Sequence, residues 1–324
     1  MAPVPYFEIA EDTYCIETGL YRPGLAACYL LRSGDRLAFV DTGTSRTVPT
    51  LLAVLADLCL GPRHVDFVIP THVHLDHGGG AGDLMAACPS ARLVVHPKGA
   101  PHLIDPARLI AGATAVYGKE GFDRDFGGLT PVPEDRITVA RDGMEIDLNG
   151  RSLTFLDTPG HANHHGCVFD RRTGGCFTGD TFGISYREFD TERGPWIFAT
   201  TTPVAFDPEA WLLSLDRLMA LKPTSMYLTH YGRVDAPGNL VEALRQSIRD
   251  HAALALAEEG RDDPERPTRL KAAVRAHLLA SARAQGVNLS DSAMADLLAV
   301  DIELNAQGLD VWLKRRERRA ASSG

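Results

Sequence analysis

The chain is poor in cysteine: Cys15, Cys28, Cys59, Cys88, Cys167 and Cys176 are the only six in 324 residues, scattered with no C-x-x-C pair. That spacing argues against a disulfide-built scaffold or a thiolate zinc site, and suggests small buried side chains in a reducing cytoplasm. Cys167 and Cys176 are spaced to face each other across a hairpin, a bridge there being the lesser reading. Apolar runs are short as well. None reaches the ~18 residues that span a bilayer, and the opening residues show neither a basic stretch nor an apolar one. A soluble, unprocessed protein with no membrane partner is therefore expected. Positive charge is also scarce, 33 Lys and Arg against 42 Asp and Glu for a net −9, which gives no general attraction for nucleic acid. The basic run Lys314-Arg315-Arg316-Glu317-Arg318-Arg319 reads as a solvated helix end rather than a site for an anionic partner. No internal repeat, low-complexity segment or G-x-S-x-G motif is found.

What is present is ordinary globular material, 44% hydrophobic and 23% charged, enough for a sizeable core. Short β-branched runs at 27–31, 37–41, 65–70 and 93–96 read as strands. A proline-opened helical stretch at 49–60 repeats leucine at three and four spacing. Further strands are expected at 144–148, 153–157, 166–169, 175–178 and 226–229, with hairpin turns at Asn149-Gly150 and 171–174. Asp207-Pro208-Glu209 opens a helix. Beyond about residue 237 the pattern is helical only. The expected division is a body over 1–235 and a helical extension over 236–324, the extension serving as a packing layer or a homodimer surface. Two connections, 97–135 and 181–206, look long for a compact domain. The second carries Phe182, Tyr186, Phe189, Trp196, Phe198 and Phe206, which either close over a pocket or form a satellite hydrophobic cluster.

The chemistry concentrates directly after the 65–70 strand, where Thr71-His72-Val73-His74-Leu75-Asp76-His77-Gly78-Gly79-Gly80 puts three imidazoles and a carboxylate on one turn. A lone histidine is commonly structural; this cluster reverses that expectation. Zinc and similar ions take imidazole nitrogen and carboxylate oxygen at about 2.0 to 2.2 Å, and a tight turn aims successive side chains at one point.

H-x-H-x-D-H after a strand resembles the signature of the metallo-β-lactamase superfamily, and the later motifs of that family have matches in order. Phe39-Val40-Asp41-Thr42-Gly43 is similar to the early aspartate motif, Thr158-Pro159-Gly160-His161 to the third ligand motif, Thr178-Gly179-Asp180 to the bridging aspartate, and Thr229-His230-Tyr231-Gly232 to the last histidine. The resemblance covers 27–232. It implies an α/β (α+β) fold, a four-layer αββα sandwich with a C-terminal helical extension. It implies one metal held by His72, His74 and His161, a second by Asp76, His77 and His230, and Asp180 bridging. Asp76 and Asp180 are the implied catalytic carboxylates. Asp41 supports the metal turn without binding metal, and His165, like His164, is read as a support or surface residue. The implied cofactors are two divalent ions, zinc first, with manganese or iron as alternatives.

The resemblance further implies a hydrolase using a metal-bridging hydroxide on a small-molecule ester, thioester or lactone, close to glyoxalase II and the lactonases. Asp180 stands where the β-lactamases commonly carry cysteine, which argues against antibiotic hydrolysis. His74 stands where flavin-linked diiron proteins carry glutamate. Phe182, Tyr186, Trp196 and Tyr231 are the candidate substrate contacts. Two alternatives stay open: a mononuclear iron oxygenase of the persulfide dioxygenase type, and a non-enzymatic metal-containing sensor or binding protein.

Overall fold

The computed structural model describes residues 4–323, which divide into two compact units. The first comprises residues 4–157, His164–Gly179 and Lys222–Asp235. It opens with an antiparallel meander, β1 (Tyr6–Ala10), β2 (Thr13–Glu17), β3 (Ala27–Ser33) and β4 (Arg36–Val40). Helix α1 (Val48–Asp57) then crosses over to β5 (Val65–Ile69), and α2 (Leu75–Gly78) with α3 (Ala81–Ala87) crosses to β6 (Arg92–Val95). Helices α4 (Ala100–Ile104) and α5 (Ala107–Asp125) lead to β7 (Ile137–Val139). Strands β4 to β7 run parallel, which is why each needs a crossover where the meander needs only turns.

A second sheet follows: β8 (Glu145–Leu148), β9 (Arg151–Asp157), β10 (Gly166–Asp170), β11 (Gly175–Gly179), β12 (Ser225–Leu228) and β13 (Gly232–Asp235). Among the described residues the sheets have seven and six strands, in the orders β1-β2-β3-β4-β5-β6-β7 and β13-β12-β11-β10-β9-β8. Asn149 and Gly150 both take positive φ, +48° and +83°, as the two-residue turn between β8 and β9 requires.

Strand alternation explains why the early runs look uniformly apolar. Cys28 and Leu30 of β3 and Leu37 and Phe39 of β4 face Leu51, Val54, Leu55 and Leu84 of α1 and α3. Their neighbours Tyr29, Leu31, Ala38 and Val40 face Phe155, Val168, Phe177 and Tyr227 of the second sheet. At β3 and β4 both faces of the first sheet are dry, so the binary pattern disappears there.

The 97–135 connection is not a loop. It holds α4 and α5, whose helical period was hidden by Gly112, Gly118 and Gly121, the second at φ +71° inside the helix. Leu75, Phe122 and Phe126 form a small core with Tyr117 and Ile110 between α5 and the turn that follows β5.

The second unit comprises Thr158–Asn163, Asp180–Leu221 and 236–323. Its helices are α6 (Pro208–Ala220), α7 (Gly238–Leu256), α8 (Arg266–Gln285), α9 (Asp291–Leu297) and α10 (Ala299–Ser323). Asp207 caps α6 by accepting from the Ala210 amide at 3.1 Å, and Ser290 caps α9 from Ala293 at the same distance. Leu240, Leu244, Ile248, Leu270, Val274, Leu278, Ile302 and Leu309 are buried at helical spacing. The guanidinium of Arg266, buried on α8, holds Asp310 of α10 at 2.9 Å.

His251 of α7 is fully buried, with Nδ1 2.8 Å from the Ser247 carbonyl, and burial pulls its pKa down to about 4. His277 of α8 lies 5.3 Å from it, ring to ring, and Asp250 stands beside His277. Between about pH 6.5 and 4 the unfolded chain binds a proton at this position that the folded chain refuses. Stability therefore falls as pH drops through that window, by roughly 1.4 kcal/mol per pH unit at the steepest. Thermal melts between pH 7 and 4.5 should show this slope flattened in His251→Gln; an unchanged slope would mean other groups carry the acid sensitivity.

Candidate metal centre

In the first unit, the ligand-type residues follow directly on strand ends: Asp41 after β4, His72 to His77 after β5, His230 after β12. Asp41 is buried in the left-handed region at φ +57°, a conformation that aims its carboxylate back across the sheet end. One oxygen accepts from the Thr71 amide at 2.7 Å and the Thr71 hydroxyl at 2.9 Å. The other accepts from the Thr229 hydroxyl at 2.7 Å and lies 2.9 Å from His77 Nδ1. Three connections, after β4, β5 and β12, are thus tied at one buried anion. The backbone repeats the tie, the Thr42 amide donating to the His77 carbonyl at 2.7 Å and Gly80 to Gly43 at 2.8 Å.

Asp76, His77 and His230 each offer one donor atom, all within 4.8 Å of one another. His230 Nδ1 is 2.7 Å from the Leu25 carbonyl, which only accepts, so this nitrogen carries the proton. Its Nε2 lies 3.2 Å from Asp76 Oδ2, and His77 Nε2 lies 3.6 Å from the same oxygen. On the other side of the turn His72 Nε2 and His74 Nδ1 are 2.9 Å apart. Two imidazole nitrogens at that separation have room for a single proton or a shared cation between them.

His165 is buried, its ring stacked 4.7 Å from that of His72. Only glycine fits at 179: a Cβ there would lie 2.5 Å from the Thr71 hydroxyl and 2.7 Å from His165 Nε2. His164 is half-buried, 5.6 Å from His74 and 6.1 Å from His102, ring to ring. His96 accepts from the Lys98 amide through Nδ1 and therefore donates through Nε2 to Asp157 at 3.1 Å; burial lowers its pKa and keeps it neutral. Tyr231 is half-buried and packs against the core between the sheets.

In the second unit, His161 Nδ1 lies 2.9 Å from the Thr200 carbonyl, which fixes the same tautomer as in His230, and Nε2 lies 3.3 Å from Asp180 Oδ2. Trp211 of α6 presents its ring edge 5.9 Å from His161 and donates through Nε1 to the Thr181 carbonyl at 2.6 Å. Gly160, at φ +142°, leaves no room for a Cβ against the Trp211 backbone. The aromatic 181–206 segment of this unit is a packed cluster. Phe189, Trp196 and Phe198 stack at 4.9 and 4.7 Å, Trp196 Nε1 donates to the Ser281 hydroxyl at 3.0 Å, and the Tyr186 hydroxyl donates to Asp301 at 3.1 Å. Phe182, Tyr186 and Trp196, candidate substrate contacts by sequence, are all buried.

In the first unit the Asp76, His77 and His230 donor set fits a divalent cation. Carbonyl or carboxylate acceptors hold the Nδ1 protons of His77, His161 and His230, the pattern by which metal-binding imidazoles are oriented, and each Nε2 faces a carboxylate. Thr71 and Thr229 were not singled out from the sequence. The available signal was that each directly precedes a histidine of the motifs.

The metallo-β-lactamase superfamily model matches residues 21–230, and the chain belongs to that family. A metallo-β-lactamase fold-containing protein of Sulfurisphaera tokodaii is 26% identical over 230 residues, covering 70% of this chain and 80% of its own. A hydroxyacylglutathione hydrolase of Cupriavidus taiwanensis is 30% identical over 276 residues, 77% of this chain and 86% of its own. Among solved structures, a metallo-β-lactamase family protein of Thermus thermophilus superposes with a TM-score of 0.64 at 21% identity, over 96% of this chain and 95% of that one. The expected class, two mixed sheets flanked by helices with further helices at the C-terminus, is the observed one. The fold binds metal ions, and a His/Asp cluster stands at its strand ends. Among the described residues no helix is long and apolar enough to cross a membrane. Among the described residues none of the six cysteines forms a disulfide, and all but Cys59 are buried.

Proposed function

We propose that this chain is a dinuclear metal-dependent hydrolase of small esters, thioesters or lactones. In this reading His72, His74 and His161 hold one divalent ion, Asp76, His77 and His230 hold the second, and Asp180 serves both. The observation that carries it is the orientation of the imidazoles. His77, His161 and His230 have Nδ1 committed to an oxygen and Nε2 turned to Asp76 or Asp180. The likeness to a hydroxyacylglutathione hydrolase favours the thioester among the three substrate types.

The chain's own residues have a defined task. Asp41, Thr71 and Thr229 keep His77 in one tautomer, the Leu25 and Thr200 carbonyls do the same for His230 and His161, and Gly179 lets His165 pack close behind His72. Divalent ions held by these side chains would polarise the carbonyl under attack and bring the pKa of an attacking water toward ~7. Zinc is the first choice, since imidazole and carboxylate donors suit it; the same donors also accept manganese or iron.

Elemental analysis of the purified chain is the direct test. About two ions per chain are expected, falling to about one in Asp76→Ala and His230→Ala, with thioester turnover down at least about a hundredfold, as the loss of a polarising ion implies. Asp180→Ala should release metal from both positions. Asp180→Ala with both ions and full turnover would overturn the ligand assignment, and about one iron insensitive to His230→Ala would point to oxygenase chemistry.

A further inference from the structure

A cavity of about 340 Å³ in the first unit is lined by residues that take no part in the ligand set. Its walls are the loop after β2 (Thr18, Leu20, Tyr21), the turn after β4 (Thr44, Arg46) and the end of α5 (Arg124, Asp125). Each wall runs on into the Asp76–His77–His230 group. The loop after β2 continues to Leu25, whose carbonyl holds His230 Nδ1 at 2.7 Å. The turn after β4 begins at Asp41 and Thr42, which hold His77. The end of α5 packs Phe122 and Phe126 on Leu75, the neighbour of Asp76. The negative charge of Asp76 is felt at the Tyr21 hydroxyl, whose pKa is raised first by burial and then by Asp125 and Asp76.

The cavity is built rather than incidental. The Ser45 hydroxyl donates to the Phe126 carbonyl at 2.7 Å and Arg46 donates to the Asp123 carbonyl at 2.7 Å, which latches the β4 turn to α5. Gly127, at φ +78°, lies close against this latch, since a Cβ there would stand 2.4 Å from the Ser45 hydroxyl and 3.2 Å from Arg46 Cγ. Tyr21 sits in the left-handed region at φ +55° with 44% of its surface exposed, an unfavourable backbone for an aromatic residue. Arg124 grips Asp125 through two bonds of 2.6 and 2.7 Å, so one guanidinium is already neutralised. Arg46 spends one nitrogen on a neutral carbonyl and keeps its charge. Among the lining residues two guanidiniums against one carboxylate leave a single positive charge, the others being uncharged. A monoanion matches that balance, whereas a phosphate dianion would meet Asp125.

We propose that this cavity seats the carboxylate of an acidic acyl substrate, with Arg46 as the specificity-determining residue. The inference rests on the hydrolase reading above and narrows its substrate class to acyl groups that end in a carboxylate. A planar guanidinium meets a carboxylate through paired N–H donors, and Arg46 has the donors to spare.

The test compares two para-nitrophenyl esters of similar chain length on the metal-loaded full chain, the neutral butyrate and the hemiester of glutaric acid. Arg46→Leu should raise KM for the glutarate hemiester about tenfold or more, in line with loss of a charge-assisted bond, with kcat unchanged and the butyrate parameters within about twofold. Arg46→Lys should recover part of the loss. Equal effects on both esters, or none on either, overturn the subsite. Glutarate binding to the chelator-treated chain, followed by calorimetry, separates the two readings. If neither ester is turned over, the hydrolase reading fails while binding of glutarate lost in Arg46→Leu still upholds the subsite. Absence of glutarate binding to the wild-type chain overturns the subsite whatever the esters show.

Discussion

Asp41→Asn is expected to lower the affinity of the chain for divalent metal by about 10- to 100-fold, the usual effect of disturbing a group that orients a ligand, although every proposed ligand remains in place. The carboxylate takes donors at both oxygens, the Thr71 amide and hydroxyl at one, His77 Nδ1 and the Thr229 hydroxyl at the other. An amide can accept at only one of these positions. The Thr71 backbone N–H cannot be turned away, so the amide oxygen must face it and the NH₂ must face His77 and Thr229. Thr229 can rotate its hydroxyl to accept. His77 can accept only by moving its proton from Nδ1 to Nε2, and Nε2 is the atom that faces Asp76. The substitution thus blocks the ligand atom from a distance. A titration against a competing chelator reads the effect directly, and melts of the chelated protein report any change in folding separately. Equal metal affinity in wild type and variant would show that Asp41 only joins loops.

Arg151→Ala should destabilise the first unit by about 3 to 5 kcal/mol, the range for breaking a buried ion pair on one side, and lower its melting temperature by roughly 10 °C. Arg151 is buried at the start of β9. It donates to Asp170 at 2.6 Å, the Thr13 hydroxyl at 2.6 Å, the Asp12 carbonyl at 2.8 Å and the Arg32 carbonyl at 3.0 Å. One side chain therefore joins β9 and β10 of the second sheet to β2 and β3 of the first. Its removal strands Asp170, whose remaining donors are the Arg172 amide and the Thr173 hydroxyl, at 3.0 and 2.6 Å. Replacing Arg151 and Asp170 together, by methionine and leucine, should cost less than Arg151→Ala alone, because no buried charge is left without its partner. Urea titrations of the two singles and the double give the coupling. A loss below about 1 kcal/mol in Arg151→Ala would mean that water or a shifted loop replaces the guanidinium.

The two residues differ in how visible they are in the sequence. Asp41 was legible because it sits in a recognisable motif at a strand end. Arg151, two residues after Asn149 in a hairpin, looked like any surface arginine, and its five donors acquire meaning only when the sheets stack. Helices α4 and α5 were hidden by their glycines. The short strands β1, β2, β7 and β13 leave little trace in the sequence: Tyr6–Ala10 shows no clear alternation, and Gly232–Asp235 alternates buried and exposed positions over only four residues. The aromatic segment 181–206 was ambiguous between a lid and a cluster. Burial of Tyr186 and Trp196 with their polar atoms paired decided for the cluster.

By itself the sequence determined where ligand-type residues fall along the chain: His72, His74, Asp76, His77, His161, Asp180 and His230, each shortly beyond a strand, with Asp76 and His77 in the single turn of α2. Local pattern suffices there because a strand end and a tight turn fix a side chain's direction within a few residues. Tertiary structure alone decided what those residues do with their protons, since the tautomers depend on acceptors far along the chain. Leu25 lies 205 positions from His230, Thr200 lies 39 from His161, and Asp41 lies 36 from His77. It also decided the cavity with Arg46, Tyr21 and Arg124, where three unrelated segments meet. No sequence window spans such distances, and the charge of a wall exists only once the wall has been assembled.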